Sequence, residues 1–439
     1  MAFFTGAAPA AALSVVYRSL FTAAVALFLM AVSTPARASE PVSLSAPASA
    51  SAPAFSADFI GDRITEITLA GLRKTQDEVV YDLIEVEVGD PVTADLFQSI
   101  QESLLDSDLF AAVHVSGRAT AADGVEVVVL LDEKWTLVPI PFFSTNGSTY
   151  QGGLIVIETN LLGRNKQLIS AGFLGTDGAQ GFVAYGDPAV FGSRWSAGIS
   201  AGAGRTEAER LLPNGTHRRS YEYDQQRLGA NVGYNFTRRA GITGGLGYER
   251  WEIMSGDSLE DGQLLESQLT AEYDGTRPLD VLRVGPRARL SARTVTYRSG
   301  WEISAGGEWA IPVATAHRIR LVASGAIGEM PTIAERMISG GDGYRTLPYQ
   351  AVSADSWGTT SAVYDLSIVR ADWGALVLSH FWELGGYTND DVDPRLFYGP
   401  GGGFRVYIRQ VAIPALGLDV AYNIPDNGFA FSFSLGAQM

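Results

Sequence analysis

The chain contains no cysteine and only four histidines. That excludes a disulfide framework and thiolate metal sites. Basic residues are scarce: 32 Lys and Arg face 48 Asp and Glu, for a formal charge of −16. A nucleic-acid binder needs a basic face, so no nucleic-acid partner is expected. Charged residues make up 18% of the chain, below the roughly 25% of soluble domains. Beyond the first 40 residues no apolar run approaches the roughly 20 residues of a spanning helix. No P-loop, Ser-His-Asp arrangement or metal-spaced cluster is present, and His114, His217, His317 and His380 are scattered. The sequence therefore reads as a non-enzyme without a cofactor or metal. "TNDDVDP" (Thr388 to Pro394) carries three acids but lacks the fixed ligand spacing of a tuned calcium loop, and reads as a solvated external loop.

What is present falls into regions. Arg18, the short apolar core "LFTAAVALFLMAV" and the small residues Ala36 and Ala38 form a secretory signal over residues 1–38, cleaved after Ala38. Losing Arg18 and Arg37 makes the chain two charges more negative. Residues 39–57 are Ala, Ser and Pro, a flexible linker. Residues 58–134 read as a small α+β domain of order β-α-α-β-β. "DRITEITLAGL" is a strand into a turn, and Thr75 is the expected N-cap of a helix with Val79, Val80, Leu83 and Ile84 on one face. A second helix carries Leu96, Phe97, Ile100, Leu104 and Leu105, and two strands follow.

From residue 135 to 439 no helix is predicted. Strand-length segments alternate, as in "GFAFSFSLGAQ", where Phe429, Phe431, Phe433 and Leu435 alternate with Ala430, Ser432, Ser434 and Gly436. One face suits lipid and the other water, the pattern of transmembrane barrel strands. Sixteen segments can be marked, beginning near Leu137, Leu154, Gln167, Phe182, Trp195, Tyr221, Ile242, Leu264, Arg283, Trp301, Ile319, Ser361, Leu376, Gly403, Leu416 and Phe429. Short connections such as "GRN" and "RADWG" alternate with long ones such as "GRTEAERLLPNGTHRRS", as periplasmic turns alternate with external loops. The fold class expected is an all-β, 16-stranded antiparallel transmembrane barrel behind a small α+β domain. A soluble β-solenoid or sandwich is the competing architecture.

Several motifs resemble one family. "ITEITLAGLRKT" and "GDPVTADLFQSIQESLLDSDLF" are similar to a POTRA domain, and "ETNLLGRNKQL" and "YGDPAVFGS" to early barrel hairpins. "GGDGYRTLPY", "FWELG" and "GPGGGFR" followed by "LGLDVAY" resemble the later motifs of the BamA/TamA-type outer-membrane assembly superfamily. The chain departs from that pattern in having Thr346-Leu347 after Arg345, Glu383 in place of Asp, Met439 at the end and room for a single POTRA domain. The resemblance implies a Gram-negative outer-membrane barrel with its POTRA domain in the periplasm, acting in protein insertion or transport. The implied partners are outer-membrane lipids, unfolded outer-membrane or secreted clients, and accessory periplasmic proteins or lipoproteins.

It also implies that the long loop folds into the barrel and its arginine meets the strand acid. The implied lock comprises Tyr344, Arg345, Phe381, Glu383 and Gly385. Strand parity agrees, placing Phe381, Glu383 and Gly385 opposite the lipid-facing Leu378, Trp382 and Leu384, and a guanidinium suits a carboxylate. The pair either pins the loop passively or takes part in function. A second site is the seam, with Pro139 and Pro141 on the first strand and Phe429, Phe431 and Phe433 on the last. Prolines two apart remove N–H groups from one strand edge, which would weaken the seam; alternatively, pairing starts after Pro141. The expected function is outer-membrane assembly, insertion or translocation. A passive channel or a membrane-organising scaffold are the alternatives.

Overall fold

The computed structural model describes residues 59–439 apart from 121–123, 147–148, 177, 212–217, 257–259, 297–298, 315–316, 332–335, 338–343, 348–352, 355, 390–391, 412–415 and 436–439. The signal and linker of the sequence reading lie outside these residues, as do Asp390 and Asp391 of "TNDDVDP".

The N-terminal domain runs β1 (Ile64–Ala70), α1 (Asp77–Ile84), α2 (Leu96–Asp106), β2 (Phe110–Ala119), β3 (Val125–Glu133). β3 is central, parallel to β1 and antiparallel to β2. The alternating residues Val125, Val127, Val129 and Leu131 of β3 pack under Val80 and Ile84 of α1 and Phe97, Ile100 and Leu104 of α2. The apolar stripe at helical spacing thus covers one sheet face, the usual way such a small domain closes its core. Thr75 does not cap α1. Gln76 occupies that position without a side-chain cap, because Thr75 is used elsewhere: its N–H donates to Glu133 Oε1 at 2.8 Å and its hydroxyl accepts from Asn160 at 2.8 Å.

The rest is a barrel. Its strands are β4 (Leu137–Asn146), β5 (Thr149–Leu161), β6 (Lys166–Gly175), β7 (Gly178–Asp187), β8 (Trp195–Leu211), β9 (Arg218–Thr237), β10 (Ala240–Gly256) and β11 (Gly262–Asp274). They continue as β12 (Arg277–Leu279), β13 (Leu282–Val295), β14 (Gly300–Ala314), β15 (His317–Glu329), β18 (Ser356–Ala371), β19 (Gly374–Asn389), β20 (Val392–Ile408), β21 (Leu416–Asn423) and β22 (Gly428–Leu435). Two-residue strands β16 (Arg336–Met337) and β17 (Ser353–Ala354) pair in the loop between β15 and β18. The ring is closed, with β22 beside β4. β12 has three residues and pairs with the start of β13, while β11 itself pairs with β13 over nine positions. It is therefore a local extension of the β11–β13 edge, and sixteen antiparallel staves make the wall, as the alternation predicts.

One segment differs from the sequence reading. "GRTEAERLLPNGTHRRS" reads as a connection, yet β8 and β9 stay paired from Gly204↔Gln225 out to Leu211↔Arg218. On β8 four of the six residues from Arg205 to Arg210 are charged, so no apolar period of two shows in the sequence. Cross-strand ion pairs hold it instead: Arg205 Nε and Nη2 reach Asp224 Oδ1 and Oδ2 at 2.8 and 2.9 Å.

The N-terminal domain sits against the turns at the barrel end where β4 begins. Glu133 takes the backbone N–H groups of Arg73, Lys74 and Thr75 at 2.8–3.1 Å, fixing the β1–α1 connection. Lys74 Nζ then reaches Glu158 Oε2 at 2.5 Å and Thr136 Oγ1 at 2.8 Å, and Gln76 N–H donates to Gly163 O at 2.9 Å. Arg283 pairs with Asp106 at 3.2 Å, and Arg238 with Glu85 at 3.3 Å.

Candidate functional site: the inserted loop and the seam

Which side chains face inward follows from register. Glu383 lies opposite Ser361, Ser361 opposite Val322, Val322 opposite Glu308 and Glu308 opposite Arg287. Side chains of one such row share a face. Continued through β11, β10, β9 and β8, the same face carries Phe182, Ala171, Ile155 and Ile140 on β7, β6, β5 and β4. The inner wall is thus divided. No inward position of β4–β7 is charged, whereas β13–β21 carry Arg287, Glu308, Arg318, Arg320, Asp365, Glu383, Arg405 and Asp419.

The tip of the β15–β18 loop meets the charged wall. Tyr344–Leu347 is a tight turn closed by Leu347 N–H to Tyr344 O at 2.9 Å. The turn aims two donors at one carboxylate: Arg345 Nε reaches Glu383 Oε1 at 2.9 Å and Thr346 N–H reaches Oε2 at 3.0 Å. Arg345 and Glu383 are both fully buried. The guanidinium carbon lies 3.4 Å from the centre of the Phe381 ring, a cation–π contact in a desolvated setting. Tyr344 bonds Ser324 through its hydroxyl at 3.0 Å and stands edge-on to Trp357 at 5.2 Å. The residues implied for the lock are therefore brought together.

Gly385 and Gly401 serve this packing through what they lack. A Cβ on Gly385 would come within 2.1 Å of the Phe397 ring, and one on Gly401 within 2.2 Å of the Phe381 ring. Phe397 in turn packs in one cluster with Leu347, Trp357, Ala326 and Ala354. Thr346 and Leu347 thus have definite places: the first lends its N–H to Glu383, and the second fills an apolar pocket. Gly385→Val is expected to push Phe397 into that pocket and cost about 1–3 kcal/mol, the range for an overpacked core. The check is the temperature at which the barrel loses its folded gel mobility. An unchanged temperature would refute the packing role.

Beyond the lock, the buried ions continue as a relay. Arg345 Nη1 lies 3.9 Å from Asp419 Oδ2, which pairs with Arg405 at 2.9 Å. Arg405 donates to Ser379 Oγ at 2.6 Å, and Ser379 donates to Asp365 Oδ1 at 2.6 Å. Asp365 Oδ2 accepts from Arg318 and Arg320, both at 2.8 Å, and Arg320 reaches Glu308 at 3.3 Å. The sequence reading missed Asp365, Asp419, Arg318 and Arg320 as members of this group. Strand parity would have found them, since each occupies an inward position, as Asp419 does between Leu418 and Val420 and Arg320 between Ile319 and Leu321. Outside this group, Arg409 pairs with Asp280 at 2.5 Å, the residue that also holds Arg370 at the turn end of the barrel.

At the seam, one hydrogen bond sets the phase of β4. Thr159 N–H donates to Thr136 O at 3.0 Å, and the register runs without a shift from Leu137↔Glu158 to Asn146↔Thr149. The N–H and C=O of a strand residue address one edge, and successive residues alternate. Thr136, Val138 and Ile140 therefore address β5, while Leu137, Pro139 and Pro141 address the β22 edge. Trp135 agrees, since its N–H points away from β5 to Gln410 O at 2.6 Å. Both missing donors lie on the closing edge. On β22, Phe429 and Phe431 are exposed on the outer face, and Phe433 takes Leu418 as its backbone partner.

These features define a class of architecture: a sixteen-stave closed barrel, with the tip of one loop buried on its inner wall and a small α+β domain at one end. Solved structures of the same design have the same fold. CdiB from Acinetobacter baumannii matches with a TM-score of 0.58 at 14% identity over 86% of this chain and 74% of that one. CdiB from Escherichia coli gives 0.55 at 9% identity over 96% of each chain. BamA from Haemophilus ducreyi lacking POTRA domains 1-3 gives 0.53 at 13% identity over 86% and 85%. No family model and no curated protein matches the chain. The chain has the barrel fold of BamA and CdiB.

Proposed function

We propose that the protein is an outer-membrane assembly, insertion or translocation factor for client polypeptides. In this reading the N-terminal module is a periplasmic POTRA domain that presents a strand edge to clients by β-augmentation. The barrel lies in the outer membrane, and its β4–β22 seam or its lumen receives the client. Lipids and accessory periplasmic proteins are its other partners, and no catalytic step is involved.

The observation that carries the reading is the buried loop tip, anchored on Glu383 inside a barrel of the BamA and CdiB fold. A passive channel is disfavoured by the same feature. Selective pores use rings of like charge, whereas here inward charges of opposite sign are paired across strands. Depletion of the protein followed by quantitative outer-membrane proteomics tests the proposal. Selective loss of particular barrel or secreted proteins is expected. An unchanged proteome with altered solute uptake would replace the reading with the channel.

A further inference from the structure

Two apolar residues at neighbouring turns stand in an unusual state. Leu162, between β5 and β6, and Phe191, between β7 and β8, have φ of +57° and +54°, a left-handed conformation that residues with a side chain rarely adopt. They are also 75% and 100% exposed. Each precedes a glycine pressed against the N-terminal domain: a Cβ on Gly163 would meet Lys74 O at 1.9 Å, and one on Gly192 would meet Asp82 Oδ2 at 2.7 Å. The domain thus packs closely on each turn, while the strained hydrophobe beside the glycine stays exposed. Strained, exposed apolar side chains call for a partner surface.

We propose that these turns dock on the periplasmic leaflet, with Leu162 and Phe191 as wedges at the acyl boundary and Arg164 and Arg194 on lipid phosphates. Four residues after Phe191, Trp195 opens an outward aromatic run: Trp195 stands edge-on to Tyr234 at 5.0 Å, and Tyr234 to Phe236 at 5.5 Å. Aromatic belts of this kind mark the membrane interface. Arg194 Nη1 donates to Phe236 O at 3.2 Å, which holds it beside this run, and Arg164 is exposed on the adjacent turn. In a chain of charge −16, a local pairing of guanidinium and apolar wedge suits an anionic phospholipid surface. The surface anchors the junction of barrel and domain to the bilayer.

The proposal rests on the membrane reading, and the test separates the two. The chain has no cysteine, so Leu162→Cys, Phe191→Cys, Leu246→Cys and Val88→Cys each take one environment-sensitive dye. The labelled full chain is reconstituted in vesicles of phosphatidylcholine, with or without phosphatidylglycerol, carrying a nitroxide at the shallow end of the acyl chain. Dye at 162 and 191 is expected to lose about half its intensity to the nitroxide, the depth being that of interfacial anchors. Dye at Val88, 63% exposed on the N-terminal domain, is expected to be quenched by aqueous iodide instead. Phosphatidylglycerol is expected to deepen quenching at 191, and Arg164→Gln with Arg194→Gln to abolish that increment. Iodide quenching at 162 and 191, with Leu246 still quenched from the lipid, overturns the wedge. Equal quenching in both lipids overturns the phosphate contact. Leu246 lies on the outer face of β10 and is 70% exposed; failure there as well would overturn the membrane reading itself.

Discussion

Glu383→Ala is expected to release the loop tip from the barrel wall. The carboxylate takes both Arg345 Nε and the Thr346 N–H, so its loss leaves a fully buried guanidinium and a buried amide without their shared acceptor. Breaking a buried pair by removing one partner costs about 3–5 kcal/mol. Asp419, 3.9 Å from Arg345, and lumenal water offset part of that, which favours the lower end. Three kcal/mol is a shift of more than about a hundredfold in the docked-to-free ratio. Limited proteolysis of the reconstituted protein measures that ratio directly, with cleavage inside residues 338–350 as the readout. Arg345→Ala is expected to match it, and the double variant to add little, because both act on one interaction. Arg345→Lys is expected to restore little, since it keeps the charge but loses the planar contact with Phe381. Wild-type cleavage and wild-type assembly in all three single variants would remove the lock from the functional account.

Replacing Pro139 and Pro141 together by valine is expected to close the seam more firmly. Both residues address β22 by the phase of β4, so the change supplies two N–H donors on the closing edge. A hydrogen bond contributes about 0.5–1.5 kcal/mol net, and two therefore favour the paired seam by roughly 2 kcal/mol, about a thirtyfold change in an open–closed equilibrium. Cysteine pairs placed across β4 and β22 read the closed fraction by oxidation. Closed-seam crosslinking should rise while client assembly falls. Crosslinking that does not rise would mean that β22 offers no acceptors to these positions.

Much of this was legible in the sequence because a barrel wall repeats with a period of two, and its outward side is apolar. All sixteen segments have counterparts among the staves, and Glu383 could be assigned inward from Leu378, Trp382 and Leu384 alone. Other features were hidden for physical reasons. In the outer ribbon of β8 and β9 charged residues interrupt the alternation, so its sequence carries no apolar period of two. Thr75 has the chemistry of a helix cap, but contacts with Glu133 and Asn160 claim it, and local propensity cannot anticipate a partner 85 residues away. The pocket for Leu347 is made by residues from four strands and by the absence of a side chain at Gly385, so the loop tip shows only an unusual dipeptide. The phase of the seam prolines depends on one hydrogen bond, from Thr159 to Thr136, that no motif encodes.

The staves are unequal in length. Among the described residues β22 has eight and β4 ten, against twenty in β9. Eight residues rising about 3.3 Å each and tilted about 45° cross only some 19 Å, less than the roughly 25 Å apolar band of such barrels. In a bilayer the mismatch falls on the lipid, at a fraction of a kcal/mol per Å. Hydrocarbon chains beside β4 and β22 would be compressed while those beside β9 stay relaxed. Elastic tension would then concentrate along the one edge that two prolines have left short of hydrogen bonds.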